Sequence, residues 1–136
     1  MDGICNWFVL TKIFGSNYNL VGSRIYRMID DPFNRKLSME FIIGDDVIQP
    51  PERWKKWEKV YAKIDFWDVR KLTREIQGTR FIVSDLVVLK ETQMVSVKMK
   101  DENDNSIEFI FEDARIQTVK PIIMNKDDAG YVVCDT

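Results

Sequence analysis

The sequence predicts a mainly β domain of the α+β class. The form expected is an antiparallel β-sandwich or strongly curved sheet of about seven to eight strands with a short N-terminal helix. Three observations predict it. Apolar residues recur with period two through most of residues 21–120, the spacing at which alternate side chains of a strand share one face. Clusters of turn-forming residues such as DDPFN and DENDNS interrupt that alternation at short intervals. Helical spacing is confined to the N-terminus and ends at a glycine.

Taken in order, NWFVLTKIFGSN places Trp7, Leu10, Ile13 and Phe14 on one helical face and stops at Gly15. VGSRIYRMIDD follows as a strand and ends in the DDPFN turn. KLSMEFIIG turns Leu37, Met39, Phe41 and Ile43 one way and Ser38 and Glu40 the other, the pattern of a half-buried strand. Asp45 to Glu58 reads as a loop, because Pro50 and Pro51 cannot both sit inside a paired strand. Val60, Ala62, Ile64 and Phe66 then alternate with Tyr61, Lys63, Asp65 and Trp67. VRKLTREIQG continues as a strand, with a short helix as the alternative, and TRFIVSDLVVLKE follows. DENDNS marks a hairpin between Val95, Val97, Met99 and Ile107, Phe109, Phe111.

At 136 residues the chain is expected to form a single domain over 1–136. Residues 1–20 form the helix and its lead-in, 21–120 the antiparallel core, and 121–136 a weakly patterned C-terminal tail. No apolar run approaches the roughly 20 residues a bilayer span needs. The opening MDGICNWFVLTKIFG lacks a basic start and a small-residue cleavage site. A cytoplasmic protein with no membrane partner is expected, with Cys5 and Cys134 as free thiols. The net charge of −2 hides an asymmetry. Residues 1–100 carry 17 basic against 13 acidic residues, a surplus of four positive charges, and residues 101–136 carry 3 against 9, a deficit of six. An acidic C-terminal third disfavours a phosphate backbone and can attract a basic protein.

Reaction chemistry finds little support. The chain has no histidine, which removes the commonest general base, the commonest metal ligand and every Ser-His or Cys-His nucleophile. Two isolated cysteines offer no zinc spacing, and the six glycines form no phosphate loop. Carboxylate neighbours such as Asp65/Asp68 or Asp45/Asp46 arise by chance among 22 acids. DENDNS departs from a calcium loop, with Ser106 at the sixth position where glycine is needed. No enzyme, cofactor or metal is expected.

Large aromatics crowd among charges in QPPERWKKWEKVYAKIDFWDV. Phe66 is in register with Val60, Ala62 and Ile64 and belongs to the core, and Trp54, just after the prolines, can plug an open end. Trp57, Tyr61 and Trp67 remain as candidate contacts. They suit a protein interface, where tryptophan and tyrosine are frequent anchors. Alternatively, with the lysines of 53–67, they suit a β-rich module that stacks single-stranded nucleic acid. The acidic balance speaks against nucleic acid.

The order of features resembles a known family. IFG closes the helix, RIYRMID and LSMEFII form a strand pair, PPERW leads into VYAKIDFWDVRKLTREIQG, and FIFEDARIQTVKPI closes the sheet. Over roughly residues 6–123 this resembles the immunity protein fifty family of bacterial polymorphic-toxin systems. The resemblance implies a small cytoplasmic protein that binds a cognate toxin domain one to one and blocks it. It carries no shared catalytic or ligand residues. A nuclease toxin would present a basic active site, which an acidic surface complements. In SIEFIFEDA, Glu108 and Glu112 lie opposite Ile107, Phe109 and Phe111 and face outward. With Asp101, Glu102, Asp104 and Asp113 they form the expected acidic contact, beside Trp57, Tyr61 and Trp67.

Overall fold

A computed structural model describes residues 3–125 and 130–133. The order of elements is α1 (Phe8–Phe14), β1 (Arg24–Asp31), β2 (Lys36–Ile43), β3 (Lys59–Trp67), β4 (Arg70–Glu75), β5 (Asp85–Glu91), β6 (Met94–Lys100), β7 (Ser106–Phe111), β8 (Asp113–Asn125) and β9 (Gly130–Val133). Two antiparallel sheets result. One has five strands in the order β1-β2-β3-β8-β9, the other four in the order β4-β7-β6-β5. The mainly β sandwich read from the sequence is the fold observed.

The alternating residues explain why the sheets face each other. Leu37, Met39, Phe41 and Ile43 of β2 are fully buried, as are Val60, Ala62 and Ile64 of β3. They meet Val95, Val97 and Met99 of β6 and Ile107, Phe109 and Phe111 of β7 in one core. At its centre Phe66 sets its ring 4.9 Å from Phe109 and 5.0 Å from Phe111, both edge to face. That geometry suits the ring quadrupoles. α1 adds Leu10, Ile13 and Phe14, with Trp7 just before it, and ends at Gly15, whose φ of 111° a residue with a Cβ adopts only under strain. The lead-in is pinned to β8, since the Cys5 N–H donates to the Ala114 carbonyl at 2.8 Å and the Ile116 N–H to the Cys5 carbonyl at 3.0 Å. Cys5 carries a free, exposed thiol, and Cys134 lies outside the described residues.

The proline loop lies across α1, where the Ile48 and Gln49 N–H groups both donate to the Ile13 carbonyl. Trp54 is buried there and packs on Trp57 at 5.8 Å, so it closes one end of the core as its position suggested. VRKLTREIQG forms the strand β4 rather than a helix. Strand structure also continues past residue 120, where the sequence pattern fades. β8 runs on to Asn125 and β9 pairs with it, so the expected boundary of the core at 120 is corrected. Earlier in the strand β8 carries a bulge at Gln117, between the pairs Lys63↔Thr118 and Ile64↔Ile116.

DENDNS is a hairpin turn built around Asp101. Its carboxylate accepts from the Asn103 N–H at 2.9 Å, the Asn105 N–H at 2.9 Å and the Asn105 side-chain amide at 2.7 Å. Asn105 in turn accepts from the Gln77 N–H at 2.7 Å, which ties the turn to the exit of β4. Burial would push the Asp101 carboxyl up, but these donors hold it below the usual carboxylate range. Asn105 is 3% exposed, so removing its side chain leaves a buried Asp101 oxygen and the Gln77 N–H without their partner. Asn105→Ala should lower stability by about 1–3 kcal/mol. Urea unfolding gives the loss, and faster hydrogen exchange of the Gln77 amide locates it.

Candidate interaction surface

The outward side chains of the five-stranded sheet form rows across the strands. Lys36 pairs with Trp67, Ser38 with Asp65, Glu40 with Lys63 and Ile42 with Tyr61. On the β8 side Tyr61 opposes Lys120 and Lys63 opposes Thr118. On the other side β1 bulges between Ile25 and Arg27. The extra residue, Tyr26, moves Arg27 into the place opposite Glu40, which is what a bulge does when it re-aims a side chain.

Glu40 is the centre of this surface. Only 4% of it is exposed, although it stands on the face that alternation assigns to solvent. The sequence expectation that Ser38 and Glu40 lie open is corrected, for both are buried. Neighbouring strands supply the cover. The Arg27 guanidinium donates through Nε to one Glu40 oxygen and through Nη2 to the other at 2.9 Å. The Tyr61 hydroxyl donates to the second oxygen as well. Burial would push the Glu40 carboxyl up. The bonds from Arg27 and Tyr61, with the charges of Arg27 and Lys63, outweigh it and hold the group below its usual range. Burial and the same bond push the Tyr61 hydroxyl upward, so it stays protonated and donating.

Around Glu40 opens a cleft of about 480 Å³, walled by Tyr26, Arg27, Tyr61, Lys63, Thr118 and Lys120, with the buried Ile42 and Ile122 as its apolar part. A second buried acid extends the row. Asp65 accepts from the Ser38 hydroxyl at 2.6 Å and lies 3.6 Å from the Lys36 ammonium, which sits 5.7 Å from the Trp67 ring centre. The side chains are held by one another before any partner arrives, the condition under which binding loses least entropy. Each acid is committed to a cation or a hydroxyl.

The nine residues expected at a contact fall on separate surfaces. Tyr61 and Trp67 lie half-buried on this outer face, and Trp57 packs on Trp54 in the loop before β3. Glu108 is exposed on the outer face of the four-stranded sheet, opposite Lys98, and so points away from Tyr61. Glu102 and Asp104 are exposed in the turn before β7, and half-buried Glu112 and exposed Asp113 follow its end. The length of β7, about 20 Å at strand rise, separates those two groups. Asp101 departs from the expected open placement, because its turn uses both carboxylate oxygens. The sequence reading missed Arg27, Glu40 and Lys120, and took Lys63 only as one of the lysines of the nucleic-acid alternative. Their one signal was a glutamate between Met39 and Phe41, and only the strand register turns that into a site.

The chain matches no curated protein and no solved structure. A family model, Immunity protein 50, matches residues 6–122. That span takes in α1, β1 to β7, most of β8 and all of the cleft around Glu40. With most of its length matched, this protein belongs to the Immunity protein 50 family.

Proposed function

We propose that this protein binds one toxin domain, one to one in the cytoplasm, and neutralises it by occupying its surface rather than by chemistry. The family supports a toxin as partner. The observation that carries the choice of surface is the cleft around Glu40, where buried, mutually bonded polar groups sit beside aromatic side chains. Tyr61, Trp67 and Tyr26 supply the amphipathic contact area that interfaces favour, and Arg27 and Lys63 frame a buried carboxylate. The scattered acids at Glu102, Asp104, Glu108, Glu112 and Asp113 serve a different purpose in this reading. They give the C-terminal third a negative field that speeds the approach of a basic partner. A nuclease, whose substrate surface is basic, fits that field.

One observation favours the nucleic-acid alternative. Lys36, Lys63 and Lys120 share the outer face with Tyr61 and Trp67. Glu40 and Asp65 at the middle of that face oppose a phosphate backbone, and the ring of Trp57 is packed on Trp54. Affinity for a generic oligonucleotide that falls steeply with salt would select this alternative.

Co-expression with the polypeptide encoded immediately upstream, followed by co-purification and a growth assay, tests the main reading. A toxic domain tolerated only beside this protein, in one complex, supports it. A harmless neighbour that does not co-purify overturns it. Two double variants then locate the surface. Lys63→Glu with Lys120→Glu should weaken the complex about tenfold or more. Glu108→Lys with Glu112→Lys should slow association and flatten its salt dependence while the melting temperature stays near wild type. The reverse ranking would move the docking surface to the four-stranded sheet.

A further inference from the structure

A second pocket, of about 280 Å³, opens on the same outer face at the corner where β1 begins. Ile42 lines both it and the cleft around Glu40. Three of its lining side chains are cations: Arg24 at the start of β1, Lys59 at the start of β3, and Arg80. The topology brings them together from distant parts of the chain. Arg24 lies between Ile42 of β2 and Ile82, because residues 81–83 run alongside the start of β1. Lys59 lies across Gly44, where an added Cβ would fall 2.8 Å from its ammonium nitrogen, so the glycine leaves room for the charge.

Among the described residues none of the three cations has a carboxylate partner, and the ion pairs Arg27–Glu40, Lys36–Asp65 and Arg74–Asp30 leave all three out. Asp45 approaches Gly22 but does not line the pocket. The Nε–H of Arg24 is moreover buried without a hydrogen-bond acceptor. A buried guanidinium donor left unbonded is unfavourable, and three like charges around one small cavity repel. An oxyanion placed among them removes both penalties, with the planar guanidinium offering a fork and the ammonium a point charge. At about 280 Å³ the cavity has room for an oxyanion together with the stem that carries it.

The geometry points to an oxyanion subsite at Arg24, Lys59 and Arg80 that receives an aspartate or glutamate side chain of the bound toxin. The assignment rests on the reading of this face as the toxin-docking surface: a protein lying over the cleft around Glu40 reaches across Ile42 into the pocket. The occupant is acidic even though the wider field of this chain favours a partner of basic character, so the contact fixes orientation.

Two arms test it. The first uses the chain alone, with inorganic phosphate as the probe, followed by the arginine side-chain N–H resonances in heteronuclear NMR. The Arg24 Nε–H signal, identified by its loss in Arg24→Lys, should move saturably, and should stay still in Lys59→Gln/Arg80→Gln. A signal that does not move, or moves equally in the double variant, overturns the subsite. The second arm uses the toxin complex. Lys59→Glu with Arg80→Glu should weaken it about tenfold or more, while Lys90→Glu on the far sheet leaves it unchanged. Phosphate binding with undiminished toxin binding would mean that the pocket serves a free anion, and would overturn the protein carboxylate as occupant. If the wild-type chain binds no toxin, the docking reading and its carboxylate fall together, and the phosphate titration by itself decides whether the anion subsite stands.

Discussion

Phe66→Ala is expected to lower the free energy of unfolding by about 3–5 kcal/mol. The ring is 1% exposed and stands between the two sheets, in edge-to-face contact with Phe109 and Phe111. Its removal takes away apolar burial and leaves a cavity that two strands, fixed by their ladders, cannot close. Domains of this size are stable by roughly 5–15 kcal/mol, so the variant keeps little reserve. Urea unfolding measures the loss. Phe8→Ala supplies the comparison, since Phe8 is 65% exposed and its truncation should change stability by no more than about 0.5 kcal/mol. A loss below about 1 kcal/mol at Phe66 would mean that the sheets do not pack through this ring.

Glu40→Gln should lower stability by roughly 2 kcal/mol at neutral pH, the value of charged hydrogen bonds to a buried carboxylate. Arg27 is largely exposed, so the ion pair itself is partly screened and the bonds dominate. The effect has a definite pH dependence. The folded-state pKa of Glu40 is held below the ordinary value of 4.5. Its contribution is therefore fully present above that value and is lost as the pH falls through the lower, folded-state value. The stability gap between wild type and Glu40→Gln should be constant near neutrality and close in acid. A gap that widens on acidification would show that burial wins over the donors, with the Glu40 carboxyl raised instead of lowered.

Much of the sandwich was legible because its inward residues alternate without interruption. In β2, β3 and β7 every second residue is apolar and every one of these is buried. The period alone assigned faces to Phe66, Phe109 and Phe111. The same period misplaced Ser38 and Glu40, since it says which way a side chain points and nothing about what leans over it. Their cover comes from neighbouring strands, with Arg27 and Tyr61 bonded to Glu40 and Asp65 bonded to Ser38, and strand pairing is a long-range property. The bulge at Tyr26 that brings Arg27 to Glu40 has no local signature. Arg24, Lys59 and Arg80 likewise stand far apart in the sequence and become a group only when residues 81–83 lie along β1. The acids of 101–113 were easy to see because they are close in sequence, yet the hairpin disperses them and Asp101 disappears into its turn.

The pairing of β3 with β8 sets a timetable. The other principal pairings span fewer residues, β4 with β7 included, whereas Lys63 meets Thr118 only after the whole four-stranded sheet has been made. Contacts of such sequence separation form late, because loop closure is unfavourable until the intervening chain is ordered. Thr118 and Lys120, which wall the cleft, arrive with β8. A nascent chain on the ribosome can therefore hold Arg27, Glu40 and Tyr61 together while still lacking one side of the surface. At about 5–20 residues per second, synthesis takes on the order of ten seconds. The surface around Glu40 is then complete only in finished chains, and the amount of it in a cell follows the pool of chains already made rather than those still being made.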